Sequence, residues 1–284
     1  MTWRFLGIAF ALLVVVVVVL IMFGRLPFPV IQFVLQVPDG NNPLINGGFE
    51  KGKLNDPDPD ESVVGTARIL CDGSTSINNW VAAGPGPGGS GGLSTPCSGG
   101  RHRDVLEYAA NQDHCEPNVP PCPNEFGILA QEGNRYVNLS PGQGPNLPAR
   151  QYGTVTHEGV QTVVGQRYEV SFFIGSSSNN LIVGDKTGAV SVEIAGVKTP
   201  DSLGGGCSFQ PSLLCPAPPP LMASNWSDPH DKPRFRFDAV NETTILKFSG
   251  TSVSKEAKGT LYIGLDNVSL EKVCVIFIAF TVGC

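Results

Sequence analysis

A carboxylate lies where the apolar pattern of one strand changes face. The segment GTLYIGLDNVSLEK occupies residues 259–272. Its apolar residues up to Leu265 occupy odd-numbered positions and those from Val268 onward occupy even-numbered positions. Asp266 and Asn267 lie where this alternation breaks. Because successive side chains of a strand point to opposite faces, the break predicts a β-bulge. An unpaired charge in a half-buried strand is costly, so Asp266 needs a partner.

A second acidic motif, NDPDPDES at residues 55–62, alternates the carboxylates of Asp56, Asp58 and Asp60. Some calcium-binding loops show the same alternation, but this segment lacks their glycine at the sixth position and their glutamate at the twelfth. We therefore interpret it as a solvated acidic loop.

Motifs for catalysis are absent from the sequence. The four histidines are scattered, and there is no HExxH, GxSxG or phosphate-binding loop. Glu107, Glu132 and Glu158 have the chemistry of a glycosidase carboxylate pair, but nothing in the sequence brings two of them to the required separation. We therefore expect a protein without enzymatic activity.

Composition restricts the partners and the fold. The chain has 284 residues and a formal net charge of −6, with no basic run after its first few residues, so nucleic acid is not an expected partner. It contains 34 glycines and 24 prolines but only 15% charged residues, a balance typical of many turns joining short strands.

The N-terminal segment predicts export. Residues 6–24 carry no charge, and as a helix they would span roughly 28 Å, about the hydrocarbon core of a bilayer. Bulky residues follow where a signal peptidase needs small ones. We expect residues 1–24 to be an uncleaved signal anchor, with a removed signal peptide as the alternative. The remainder would then lie on the extracellular face of the membrane, or be secreted if the segment is cleaved.

Cysteine usage agrees with export. Six of the eight cysteines lie in loop-like stretches and form no CxxC pair, which favours disulfides over a zinc site. The pairs that proximity along the chain favours are Cys71 with Cys97, Cys115 with Cys122, and Cys207 with Cys215.

Strand-like segments recur along the rest of the chain, with no helical pattern between them. They are residues 43–50, 77–83, 104–110, 134–140, 153–163, 167–177, 188–199, 233–240, 243–250 and 259–272. This pattern predicts an all-β antiparallel sandwich over residues 43–272. Four long insertions separate the strands, at residues 51–76, 84–103, 111–133 and 200–232.

Two apolar segments flank this domain. Residues 25–42 are interpreted as an extended connector, and residues 273–284 form an apolar tail too short to cross a bilayer as a helix. The tail either extends the last strand, packs against the connector or touches the membrane.

Several motifs, taken in order, are similar to a known fold family. They are LINGGFEKG, INNWVAAG, EGNRYVNLS, GVQTVVGQRYEVSFFIG, RFRFDAVNETTILKFSG and GLDNVSLEK. Together they resemble the galactose-binding-like jelly roll, especially noncatalytic carbohydrate-binding modules and a plant cell-wall family of unknown function. The resemblance covers residues 43–272. That plant family normally carries two such domains, where this chain has one.

The resemblance implies a structural calcium ion held between the first and last strands. The matching residues are Glu50 and Asp266, with backbone carbonyls of the adjoining loop completing the oxygen shell. The alternative is that Asp266 caps a turn or pairs with Lys51 or Lys272.

A sugar site requires an aromatic ring to stack on the apolar side of a pyranose, with amides to bind hydroxyls. The candidates are Trp80, Tyr108, Tyr152 and Trp226 as aromatics and Asn78, Asn79 and Gln161 as polar partners. For each aromatic, core packing is the alternative. Tyr136, Tyr168 and Phe172 are assigned to the core.

We therefore expect an exported, membrane-anchored jelly-roll protein that binds a polysaccharide or glycan without hydrolysing it. The alternative is a structural or adhesive surface protein that uses the same sandwich to pack against proteins. Of its four N-x-S/T sequons, those at Asn225 and Asn241 are the expected glycosylation sites, and the one at Asn267 lies inside the last strand.

Overall fold

All regular elements in the described part of the chain are β-strands. The computed structural model describes residues 32–38, 40, 42–53, 62–64, 67–83, 106–110, 130–139, 153–178, 188–195, 201–204, 207–210, 212–218, 225–252 and 261–279. The strands are β1 (Gln32–Pro38), β2 (Ser62–Val64), β3 (Ala67–Leu70), β4 (Trp80–Ala83), β5 (Leu106–Ala110), β6 (Arg135–Asn138), β7 (Thr154–His157), β8 (Val160–Gln161), β9 (Arg167–Ser178), β10 (Gly188–Ala195), β11 (Asp201–Gly204), β12 (Ser208–Gln210), β13 (Ser212–Pro216), β14 (Asn225–Trp226), β15 (Arg234–Asp238), β16 (Thr243–Ser252) and β17 (Leu261–Ala279). The predicted all-β class is confirmed.

Two antiparallel sheets contain these strands. The ten-stranded sheet has the order β11-β15-β9-β17-β6-β5-β3-β2, with β1 paired to β17 and β14 to β9. The seven-stranded sheet has the order β12-β13-β10-β16-β7-β4, with β8 paired to β16. The sequence-distant strands β9 and β17 pair over most of the length of β9, so residues 261–272 of β17 lie at the centre of the larger sheet.

The hydrophobic core lies between the two sheets. Tyr168, Val170, Phe172 and Ile174 alternate along β9 and are buried on its inner face. The ring of Phe172 meets that of Phe248 from the seven-stranded sheet with centroids 5.1 Å apart. The fold is therefore a β-sandwich, and Tyr168 and Phe172 are core residues as predicted.

Nine of the ten predicted segments contain a strand, and the exception is residues 43–50. Asn46 and Phe49 have φ angles of 61° and 56°, in the left-handed region that strands do not use. The Asn46 side chain stabilises this turn, because its amide donates to the carbonyls of Lys51 and Asn78 and its oxygen accepts from the Lys51 N–H. The predicted first strand is therefore a turn.

Two predicted insertions contain short strands. Strands β2 and β3 fall within residues 51–76, and β11 to β14 fall within residues 200–232. The hairpin of β12 and β13 carries the predicted Cys207–Cys215 disulfide, whose cysteines flank the Ser208–Leu214 pair. Cys71 is also disulfide-bonded. Cys97, Cys115 and Cys122 lie outside the described residues.

The chain divides into two compact units. Residues 38–273 form the larger unit, and residues 1–37 with 274–284 form the smaller one. Strand β17 continues beyond Val273 to Ala279. Extension of the last strand was one of the alternatives predicted for the apolar tail at residues 273–284. No helix among the described residues is long and apolar enough to cross a membrane, and the apolar segment 6–24 lies outside them.

Candidate ligand site on the outer face of the ten-stranded sheet

The outer face of the ten-stranded sheet is built by residues that alternate with the core positions. On β9 these are Glu169, Ser171, Phe173 and Gly175, between the inward-facing positions. The strand register then places their neighbours across the face. Arg236, Glu169 and Glu271 form one row, Arg234, Ser171 and Ser269 the next, and Trp226, Gly175 and Gly264 a third.

Trp226 lies flat against the backbone at Gly175. A Cβ at Gly175 would come within 2.8 Å of the indole ring. The ring can therefore take this position because residue 175 is a glycine. Tyr136 contacts the indole edge-on, with centroids 6.4 Å apart. Tyr136 and Phe173 are 0% and 5% exposed, whereas Trp226 is partly exposed. Of these three aromatic residues, only Trp226 offers ring surface to a ligand.

Two cations border the aromatic residues. The Lys232 ammonium lies 5.1 Å from the centre of the Phe173 ring. Burial lowers the pKa of Lys232, the carboxylate of Glu271 opposes this shift, and the charge of Arg234 adds to it. The Nε atom of Arg234 is buried without a hydrogen-bond partner.

The carboxylates on the same face are already engaged. Glu169 accepts a hydrogen bond from Arg236 Nε at 2.8 Å. Glu271 accepts one from the Ser269 hydroxyl at 3.1 Å, and Glu132 accepts one from the side-chain amide of Asn267. The face therefore combines these partnered anions with Lys232 and Arg234, which form no ion pair within the described residues.

Asp266 lies beside this face, at the predicted bulge. The register of β17 against β9 shifts between Asp266 and Ser269, and Asn267 has a φ of 46°, so the bulge is confirmed. The carboxylate is fully buried. Its Oδ2 accepts the N–H groups of Gln131 and Glu132 at 2.9 and 3.2 Å, and its Oδ1 accepts the N–H of Asn267 at 2.7 Å.

Glu50 binds the other end of the same loop. Its Oε1 accepts the N–H groups of Asn134 and Arg135, both at 2.9 Å. A Cβ at Gly133, whose φ is 68°, would overlap with the Glu50 carboxylate, so glycine permits this close approach. Burial raises the pKa of Asp266 to about 7, opposed by its three N–H donors, and the charge of Glu50 adds to the rise.

Glu50 and Asp266 thus bind opposite ends of the 131–135 loop, and the charge of Glu50 acts on Asp266. Within the described residues, Asp266 forms no ion pair with Lys51 or Lys272, and it does cap the 131–135 loop. The side-chain oxygen of Gln131 is buried without a hydrogen-bond partner. No cluster of three or more His, Cys, Asp or Glu with metal-binding geometry occurs in the described ranges. Any cation here would therefore need carbonyl and amide oxygens besides the two carboxylates.

The other predicted sugar-binding residues do not meet at one site. Trp80 is buried, donating from Nε1 to the Asn46 carbonyl at 3.0 Å, and Tyr108 is buried, donating to the Phe49 carbonyl at 2.6 Å. Both have the core position that the sequence left as the alternative. Asn78 and Gln161 are exposed and Asn79 is half-buried, and Gln161 lies on β8, in the other sheet from Trp226. Tyr152 lies outside the described residues.

The two predicted glycosylation sites lie in the described part of the chain. Asn241 is exposed, as a glycosylated residue must be, and Asn225 lies on β14.

Lys232 and Arg234 were not among the site residues predicted from the sequence. The alternation in RFRFD, the sequence of β15, was the available signal for Arg234. Phe235 and Phe237 of β15 are buried in the core. Because side chains alternate along a strand, Arg234 and Arg236 lie on the opposite face.

No protein-family model matches the chain, and neither does any curated protein sequence. The solved structures that are similar to it include the following two. One is TmCBM61 in complex with β-1,4-galactotriose, at 13% identity and a TM-score of 0.38, covering 82% of this chain and 99% of that one. The other is the enzymatically active domain of tailspike protein 4 of bacteriophage CBA120, at 15% identity and a TM-score of 0.32, covering 72% of this chain and 21% of that one.

Proposed function

We propose that this chain is an exported, noncatalytic carbohydrate-binding protein whose sugar platform is Trp226. The observation that carries the proposal is the partly exposed indole on the outer sheet face, held over Gly175 and supported by Tyr136. A fixed aromatic face matches the apolar side of a pyranose and costs little entropy on binding. The order of the sequence motifs supports a sandwich of the galactose-binding-like jelly-roll type.

Polar groups surround the platform as a sugar requires. The hydroxyl of Ser269 and the guanidinium of Arg234 share one row of the sheet, next to the aromatic residues. Such groups donate to and accept from sugar hydroxyls.

The test is glycan binding by the full chain against a polysaccharide array, followed by titration calorimetry. Trp226→Ala should weaken binding about tenfold or more, and Trp226→Phe should retain part of it, because stacking is worth roughly 1 kcal/mol beyond area burial. Val164→Ala, at an exposed residue, is the matched control and should change nothing. A folded wild type that binds no glycan would refute the proposal and favour the adhesive alternative.

We propose, second, that the region between Glu50 and Asp266 holds a structural calcium ion. Two neighbouring carboxylates, one fully buried, and the unpartnered oxygen of Gln131 are an oxygen-donor set suited to this hard cation. Glu50, Asp266 and Gln131 would hold it, and its charge would stabilise both carboxylates in their ionised form.

We propose, third, that residues 6–24 anchor the protein to a membrane. The support within the larger unit comes from exposed large apolar side chains, which in the described residues are Ile45, Val163, Val164, Val240 and Ile245. Val163, Val164 and Val240 are here called the apolar end. Backbone contacts place these three together, since the Gly165 N–H donates to the Ala239 carbonyl. The neighbouring Gln166 side chain donates to the carbonyl of Val273, where the chain leaves the unit.

A further inference from the structure

Lys232 and Arg234 are two cations on one face that form no ion pair with any described residue. Lys232 is half-buried, and its ammonium lies over the ring of Phe173. Arg234 is partly buried, with its Nε shielded from solvent and without a hydrogen-bond partner. The charges of Glu271, Glu169 and Glu132 act on Lys232, but no described carboxylate forms a direct ion pair with either cation, so an anionic ligand could supply one.

The neighbouring carboxylates do not fill this role. Glu169 is paired with Arg236, Glu271 accepts from Ser269, and Glu132 accepts from Asn267. The charges of Glu271 and Glu132 still act on Lys232, because their donors are neutral, but none of the three carboxylates forms an ion pair with Lys232 or Arg234. Both cations can therefore still donate directly to a ligand.

The cations lie within reach of the sugar platform. Lys232 lies over Phe173 and Trp226 over Gly175, and these positions are two residues apart on β9, about 7 Å along the strand. This spacing suits one hexose ring on the indole with its ring substituent directed toward the ammonium.

We propose that the outer face binds an acidic glycan, with the sugar ring on Trp226 and its anionic group at Lys232 and Arg234. This inference rests on the proposed carbohydrate-binding function. The shared chemistry is a single anionic group on a hexose, supplied by the carboxylate of a uronate or by a sulfate ester. The guanidinium of Arg234 suits either oxyanion, since it presents a planar fork of donors.

The experiment compares three probes on the full chain at constant calcium. They are an oligogalacturonate, the same oligomer with every carboxyl methyl-esterified, and a sulfated galactan oligomer. The acid form should bind at least tenfold more tightly than its ester, because esterification removes the charge that strengthens its hydrogen bonds to Lys232 and Arg234. Added salt should weaken the acid form alone.

Variants separate this inference from the function it rests on. Lys232→Met should reduce acid binding to the level of the ester without changing ester binding, while Lys232→Arg should retain much of the acid binding. Arg234→Gln should weaken acid binding more than ester binding, because Arg234 also faces the sugar hydroxyls. Trp226→Ala should weaken both forms. If acid and ester bind equally and both depend on Trp226, the carbohydrate function stands and this inference is overturned. If no probe binds, this inference fails, and the polysaccharide array alone decides the carbohydrate function. Tight binding of the sulfated oligomer alone identifies the sulfate ester as the source of the anion.

Discussion

Asp266 and Glu50 accept hydrogen bonds from the two ends of one short loop. Asp266 receives the N–H groups of Gln131 and Glu132, and Glu50 receives those of Asn134 and Arg135. The two acids come from near the beginning and near the end of the domain sequence, so the loop is fixed by residues that are distant in the chain. In this arrangement the charge of Glu50 acts on Asp266, whose carboxylate is fully buried.

Calcium should stabilise the wild type through these carboxylates. At a concentration of 100 times its dissociation constant, the ion would add about 2.7 kcal/mol to the free energy of unfolding. Asp266→Asn and Glu50→Gln should lose most of this increment, as measured by thermal denaturation with and without chelator. Glu193→Gln, which removes an exposed carboxylate paired with Lys247, should keep it. Equal melting temperatures of the wild type with calcium and with chelator would refute the calcium proposal.

Without calcium, Asp266 should make stability depend on pH. Its pKa is about 7 in the folded state against an ordinary value of 3.8, so the folded state holds the proton more tightly. The corresponding stability is fully present below about pH 4 and is lost as pH rises through about 7, by at most about 4 kcal/mol. Denaturant unfolding in chelator should reveal this loss in the wild type.

The Asp266→Asn variant provides the comparison, because it cannot titrate. The difference in unfolding free energy between wild type and variant should therefore change between about pH 4 and pH 7. A difference that stays constant across this range would show that Asp266 does not titrate there.

Gly175→Ala should displace the Trp226 indole. The new methyl group would lie 2.8 Å from the ring, and overpacking of this kind typically costs about 1 to 3 kcal/mol. We expect glycan affinity to fall about tenfold while the fold is retained. Gly48→Ala is the matched control, because a Cβ there meets no atom closer than 4.0 Å. Affinity equal to the wild type in Gly175→Ala would indicate that the ring position is unimportant for binding.

The sequence predicts most of this fold because strand alternation is local. The pattern in β9 and the break at Asp266 could both be recognised directly, since each depends on side-chain parity. The turn at residues 43–50 was not recognised, because Asn46 stabilises it by hydrogen bonds to the backbone of Lys51 and of Asn78, and the second of these residues is 32 positions away.

The candidate site was less predictable, because burial depends on long-range packing. Trp80 and Trp226 are the same residue type in similar polar surroundings in the sequence. In the structure, Trp80 is buried against Phe49 and His157. Trp226 is paired with Gly175 of β9 and keeps part of its surface exposed. Only the register between β14 and β9 distinguishes a platform from a core residue.

The apolar end should lie against the lipid bilayer if residues 6–24 anchor the chain. Val163 and Val164 are 62% and 58% exposed, in the turn beside the point where the chain leaves the larger unit at Val273. In full-length protein reconstituted into vesicles, brominated phosphatidylcholine should quench the fluorescence added by Val164→Trp. The same lipid should not quench the fluorescence added by Thr75→Trp. Thr75 is exposed and lies in the loop before β4, and this loop is hydrogen-bonded to Ala82 of β4 at the edge of the seven-stranded sheet. Vesicle-bound protein in which neither tryptophan is quenched, or protein that does not float with the vesicles, would refute membrane contact by this surface.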